Sequence, residues 1–191
     1  MTSSLRKPTI EKAVKAIQYT LAQNPPKPIS GPSPVQPAAQ QWFTGSLRGT
    51  EIPFTNMPVK QVNYVKQSAA QRDKRRAEFE ERAGGRERFL KAIAGDPEKA
   101  GALLEAGIGH AQIALMKEKG KTPQGWQVHH KLPLDGGGTS EFDNLVLIKN
   151  GPYNQTFTRQ QNEQTHGLQE GEARQVSLPI PDHFIYPAKK P

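Results

Sequence analysis

The sequence predicts an α+β fold, one antiparallel hairpin and a closing helix held by helices that precede them, and three patterns predict it. Ahead of residue 120, apolar residues recur at spacings of three and four in several segments, the period of amphipathic helices. Trp126 to His130 and Phe142 to Ile148 are instead short runs flanking Gly136-Gly137-Gly138, the second rich in β-branched and aliphatic residues, as in two strands joined by a glycine loop. Pro152, a residue favoured in a first helical turn, then opens a segment through Tyr153, Asn154, Phe157, Thr158 and Gln161.

In chain order, Ile10, Ala13, Val14, Ile17 and Leu21 predict a short amphipathic helix over residues 9 to 23. Pro25, Pro26, Pro28, Pro32, Pro34 and Pro37 follow, which predicts an extended linker, either a spacer or an arm that docks a secretion-system component. Residues 1 to 40 are thus set apart from a mainly helical supporting region over 41 to 119. There Trp42, Phe43, Phe54, Met57 and Val59 lie among prolines without a clean period and are expected to cover the core. From Val65 to Arg88 the chain is densely charged, which predicts a solvent-facing helix interrupted near Gly84-Gly85; its Lys74-Arg75-Arg76 cluster is a candidate grip on a nucleic-acid backbone. Phe89 to Ala94 predicts a helix stopped by Gly95, Asp96-Pro97 starts another carrying Leu103 and Leu104, and Ile108, Ile113, Leu115 and Met116 indicate a third. His110 reads as a packing or surface histidine, and Lys117, Lys119 and Lys121 flank the first strand, where phosphates would pass. The third region, 120 to 191, begins with Trp126 as anchor of that strand to the helices. It continues after the closing helix with a strand at Arg174 to Pro179, a wrap over the body at Asp182 to Pro187, and a frayed end at Lys189-Lys190-Pro191.

Composition narrows the function. The 191 residues carry 26 Lys and Arg against 18 Asp and Glu, a formal net charge of +8 that favours a polyanionic partner, nucleic acid first. There is no cysteine, so disulfides, thiolate metal sites and cysteine nucleophiles are excluded. No apolar run approaches a membrane span, and Met1 to Pro8 lacks the apolar core of a secretory signal. The expectation is a protein soluble as made in the bacterial cytoplasm, leaving it, if at all, without a cleaved signal or as part of a larger polypeptide.

His129 and His130 carry the chemistry. Neighbouring side chains on an extended strand point to opposite faces, so the two imidazoles cannot share one task. A metal ligand and a general base are two tasks that phosphodiester hydrolysis needs. Pro133 stands three residues after His130, and Asp143-Asn144-Leu145 and Asn154 follow the glycine loop. Over roughly residues 120 to 165 this order resembles the catalytic hairpin of the HNH, or ββα-metal (His-Me finger), nucleases.

The resemblance implies His129 as a metal ligand, His130 as the base that activates water, Asn144 as the amide that ties the hairpin and fixes the base, and Asn154 as the further metal ligand. Thr158 and His166 are implied as additional ligands or supports, and Lys131 and Arg159 as phosphate contacts beside Lys74, Arg75 and Arg76. The colicin and pyocin nucleases place two histidines at i, i+4 on the closing helix, where this chain has Asn154 and Thr158; it is similar instead to the variants with asparagine at that position. A hard amide ligand favours Mg²⁺, with Mn²⁺, Ni²⁺ or Zn²⁺ as the other candidates. Residues Gln161 to Leu168 and Val176 to Pro181 resemble the tails of effector nucleases of type VI and polymorphic toxin systems. Together these imply an endonuclease that docks at the minor groove of DNA with little sequence preference. They imply an antibacterial effector as well, acting in a target-cell cytoplasm and neutralised in its producer by an acidic immunity protein. Two alternatives stay open: a DNA-binding module with a disabled site, Asn154 standing where a histidine would act, and a phage or restriction nuclease.

Overall fold

The run Leu145-Val146-Leu147-Ile148 has no polar face, and the computed structural model, which describes residues 40–189, accounts for it: the strand they form is covered on both sides. The helix expected over 9 to 23, the proline-rich linker, Lys190 and Pro191 lie outside the described residues. The elements in chain order are β1 (Gly45–Leu47), β2 (Thr50–Ile52), β3 (Val59–Val65), α1 (Ala69–Glu80), α2 (Gly85–Gly95), α3 (Pro97–Glu105), α4 (His110–Lys119), β4 (Trp126–His130), β5 (Leu145–Lys149), α5 (Gln155–Thr165), β6 (Ala173–Pro179) and β7 (Ile185–Tyr186). The fold is α+β.

β4 and β5 form the antiparallel hairpin, with Val128 opposite Leu147, His129 opposite Val146 and His130 opposite Leu145. β7 adds in parallel to the far edge of β5, giving the order β4-β5-β7 and leaving β4 at the edge. Alternation then divides the side chains between two cores. On one face Trp126, Val128, Leu145, Leu147 and Ile185 pack with Phe79 of α1, Phe89, Leu90 and Ile93 of α2, Leu103 of α3 and Met116 of α4. On the other face Val146, Ile148 and Tyr186 pack with Phe157 of α5 and with Phe43, Phe54 and Met57. Full burial of each large apolar side chain stabilises by about 1.5–3 kcal/mol, so the hairpin is held from both sides. Trp126 anchors the first strand to the helices, and the aromatic segment from Phe43 covers the opposite face. The supporting region expected over 41 to 119 and the hairpin region share one core.

Local signals set the helix ends. Asp96 caps α3 by accepting from the amides of Glu98 and Lys99, with Pro97 in its first turn. α1 begins only at Ser68, whose hydroxyl accepts from the Gln71 amide at 3.2 Å while the Gln71 side chain accepts from the Ser68 amide at 3.2 Å, a reciprocal capping box. The helix expected from Val65 is therefore shorter, because Val65 ends β3. That strand pairs antiparallel with β6 and buries Tyr64, Val176 and Leu178. β1, β2 and β3 all fall where helix dominated the expectation; their apolar residues do not alternate cleanly, and the partner of β3 lies at the far end of the chain. The closing helix starts at Gln155, preceded by an irregular turn over Asn150–Asn154. Among the described residues no helix is long and apolar enough to cross a membrane.

The glycine loop between the hairpin strands is packed, not free. A Cβ on Gly136 would stand 2.3 Å from the Tyr64 ring, and one on Gly138 would stand 1.9 Å from the Leu132 carbonyl oxygen. The loop therefore needs its glycines for close approach. Gly138→Ala is expected to destabilise the protein by about 1–3 kcal/mol or more, since backbone must move to admit the methyl. Gly101→Ala, in the exposed interior of α3 with nothing within 4 Å, is expected to stabilise by about 0.5–1 kcal/mol. Urea denaturation of the two variants measures the opposite signs, and equal midpoints would refute the packing argument.

Candidate functional site

β4 sends its adjacent histidines to different layers. His129 lies on the α5 face, its ring edge-on to Phe157 with centroids 4.9 Å apart. Its Nδ1 is 2.8 Å from the His130 carbonyl oxygen, which can only accept, so Nδ1 carries the hydrogen and Nε2 presents its lone pair. Nε2 faces Thr158 Oγ1 at 3.2 Å. Burial pushes the His129 imidazole below its ordinary value, and the bond to the His130 carbonyl works against that. His130 lies on the other face, against the Phe79 ring at 4.5 Å, with Nε2 3.5 Å from Ser140 Oγ. Burial first, then the neighbouring charges of His129 and Arg76, push it down to about 4. Both rings are neutral at pH 7.

Asn144 ties the segment that follows the base. Its Oδ1 accepts from the Leu132 amide at 2.7 Å, and its Nδ2 donates to the carbonyls of Leu132 at 3.0 Å and Thr139 at 2.8 Å. Its own carbonyl accepts from the Lys131 amide at 2.7 Å. One side chain thus closes the loop between the two strands onto the end of β4, and Thr139 brings Ser140 beside His130.

α5 faces the other side of β4 with a row of polar groups. Thr158 meets His129, and one turn earlier Asn154 Nδ2 donates to Gln127 Oε1 at 3.0 Å. Asn154 Oδ1 is buried with no hydrogen-bond partner among the described residues. One turn beyond Thr158, Gln161 donates to the carbonyls of His130 at 3.3 Å and Lys131 at 3.0 Å. Gln127 and His129 share a strand face and Asn154, Thr158 and Gln161 a helix face, so two periodicities meet in register.

A cleft of about 360 Å³ opens over the histidines, lined by Arg72, Arg76, Phe79 and Glu80 of α1, by β4 from Gln127 to His130, by Pro133 to Asp135, and by Gln161 and Asn162. Of the expected Lys74-Arg75-Arg76 grip only Arg76 lines it. Arg75 donates to the Gly138 carbonyl at 3.1 Å and fastens α1 to the loop, while Lys74 is exposed elsewhere. Lys131 is buried outside the cleft; burial first and then Lys60 lower its ammonium, opposed by Asp143 and Asp182. Arg159 pairs with Glu163 at 2.6 Å and lines a different depression, beside β1. His166 is exposed past the end of α5, away from the cleft, and Lys117, Lys119 and Lys121 do not line it. Sequence reasoning missed Arg72, Phe79, Gln127, Ser140 and Gln161. Two of these were within reach: Gln127 stands two residues before His129 on one strand face, and Arg72 one helical turn before Arg76. Among the described residues no group of three or more His, Cys, Asp or Glu side chains is assembled that could hold a metal.

No known family model and no solved structure matches the chain. It is similar to the uncharacterized protein YhhZ of Escherichia coli (strain K12), with 34% identity over 148 residues, 78% of this chain and 36% of that protein. The chain thus spans about a third of that relative's length.

Two outcomes follow from this geometry. Asn144→Ala leaves the Leu132 amide and carbonyl and the Thr139 carbonyl without their partner, an expected loss of about 2–4 kcal/mol in urea denaturation; a change below about 0.5 kcal/mol would rule out the tie. For His130, whose folded pKa of about 4 lies below the unfolded value of 6.5, the unfolded chain binds the proton first as pH falls. The stability present above pH 6.5 is expected to fall by about 1–2 kcal/mol from this group between pH 7 and pH 5. His130→Gln should remove that part of the decline, and an unchanged pH slope in the variant would contradict it.

Proposed function

We propose that the protein is a metal-dependent endonuclease of the HNH, or ββα-metal, type that hydrolyses DNA phosphodiester bonds with little sequence preference. The observation that carries this reading is the division of the paired imidazoles: one turns an Nε2 lone pair toward the Thr158 side of α5, and the other is neutral beside an arginine-bearing cleft. Strand, loop, strand and helix follow in the order that the resemblance implies, with Asn144 across the loop.

The donors fit a hard, largely hydrated cation. His129 Nε2 is held in the tautomer a metal ligand needs, and Asn154 Oδ1 is a buried oxygen with no partner. With no carboxylate or second histidine joining them among the described residues, the remaining positions would fall to water and phosphate oxygens, which suits Mg²⁺ or Mn²⁺ better than tightly held Zn²⁺. A bound divalent ion supplies stabilisation of the charge that develops on the phosphoryl and leaving oxygens.

The chain's own side chains supply the rest. Ser140 is placed to accept from His130 Nε2, which leaves Nδ1 to take the proton of the attacking water. The nearby Arg76 charge weakens this base in the free protein. An arriving phosphodiester anion offsets that charge, so the part of the weakening that comes from Arg76, smaller than the part from burial, is relieved once substrate is present. Asn144 fixes the backbone after His130, and Arg72 and Arg76 neutralise phosphate. We extend the proposal to a secreted antibacterial effector restrained by an acidic immunity protein, for which the +8 charge and the resemblance of the C-terminal segment are the support.

Purified protein is expected to nick supercoiled plasmid in Mg²⁺ and to stop in chelator. His130→Ala should fold and lose cutting by about 10²–10⁴-fold, the range for a general base. Wild-type cutting by that variant would remove the assignment. Salt-sensitive DNA binding without nicking in Mg²⁺, Mn²⁺, Ni²⁺ or Zn²⁺ would favour the disabled module instead.

A further inference from the structure

The cleft has a shape that discriminates among polynucleotides, an inference resting on the reading of this site as a phosphodiester hydrolase. β4 is an edge strand, so the histidines stand in a slot at the rim of the sheet and not on a broad surface. α1 flanks the slot on one side, where Phe79 meets the His130 ring, and α5 flanks it on the other, where Phe157 meets the His129 ring. Both imidazoles are recessed between these helices. The slot, of about 360 Å³, lies near the lower end of ligand-site volumes of about 300–1,000 Å³.

A phosphate ridge on duplex DNA has a major groove about 12 Å wide on one side and a minor groove about 6 Å wide on the other. Lowering that ridge to the histidines would send one wall of the slot into each groove. Each wall is a helix of about 10–12 Å diameter with side chains. The major groove admits one such helix, but the minor groove is too narrow for the second. A single strand has no partner strand beside it and meets no such obstacle.

Charge on the α1 wall points the same way. Arg72 and Arg76 lie one turn apart along it; Arg72 pairs with Asp73, and Arg76 makes no salt bridge among the described residues. One turn further on, Glu80 lines the slot paired to Arg86, with Glu78 and Glu81 exposed beside it. Phosphate is attracted at Arg76, and a second strand crossing one turn further on would meet carboxylates. The far side offers the exposed amides of Gln127 and Asn162, groups that can pair with base edges left free of a complementary strand.

We propose that the substrate is a single-stranded polynucleotide drawn into the slot between α1 and α5, with a phosphate on Arg76 beside His130. The test uses the full chain in Mg²⁺ with one end-labelled sequence presented four ways: single-stranded DNA, blunt duplex DNA, duplex with a central unpaired bubble, and single-stranded RNA. His130→Ala serves as the control. Single strands are expected to be cut at least tenfold faster than blunt duplex, with cuts in the bubbled duplex confined to the bubble; the DNA and RNA arms identify the sugar. Blunt duplex cut as fast as single strand, with His130→Ala inactive on both, overturns the inference and leaves the hydrolase reading standing. Cutting of none of the four in any divalent metal overturns both.

Discussion

The pleat of β4, pressed between two cores, is the constraint on which the site depends. A slip of the strand by one residue would exchange the surroundings of His129 and His130 and turn Trp126 and Val128 out of the layer they fill. Trp126 and Val128 are committed to the helical layer, while Val146 and Ile148 of β5 already fill the α5 layer, so a slip would empty two places in one core and crowd the other. That cost far exceeds any preference of the imidazoles themselves. The histidines are divided because their apolar neighbours are.

Precision beyond the strand comes from contacts that reach across the loop. Asn144 bonds both peptide groups of Leu132, and Arg75 bonds the Gly138 carbonyl, so α1 and the hairpin loop are fastened at neighbouring points. Lys66 to Asp135 at 2.8 Å adds a tie from the segment ahead of α1 to the turn that rims the cleft. Each contact is modest alone, about 0.5–1.5 kcal/mol net for an ordinary hydrogen bond. Together they fix Ser140 and Phe79 around one ring, and thereby the surroundings of His130.

How far the sequence disclosed this depends on whether the deciding contact is local. The Asp96-Pro97 start, the Gly84-Gly85 break and the Leu145 to Ile148 part of the second strand rest on signals within a few residues and could be read directly, whereas Phe142 to Asn144, expected in that strand, form a short 3₁₀ turn ahead of it. The Ser68 to Gln71 capping box was just as local and was overlooked in favour of the charge run around it. β3 was hidden for a different reason: its partner β6 lies at the opposite end of the chain, and Val59-Lys60-Gln61-Val62-Asn63-Tyr64-Val65 shows no regular alternation. In the candidate site the histidine pair and Asn144 stood out by spacing, whereas Phe79 and Arg72 enter the cleft only through the packing of α1. Lys131 shows the limit of proximity in sequence. It follows His130 directly, yet the end of the strand turns it into the interior near Lys60, Asp143 and Asp182.

The excess of positive charge also says less than its total suggests. Arg75 is spent on a carbonyl of the loop, Lys66 on Asp135, Lys91 on Glu87, Arg159 on Glu163 and Arg174 on the carbonyls of Gln164 and His166. Arg76 is different, because it lines the histidine cleft without a salt bridge among the described residues and its charge contributes, after burial and His129, to lowering the basicity of His130. One cation therefore acts in opposite directions on the two parties to the proposed reaction. It attracts a phosphate and, while none is bound, adds to the burial that keeps the imidazole weakly basic. Electrostatics of this kind couples the strength of the base to occupancy of the cleft, and it needs no moving part beyond the arrival of the anion.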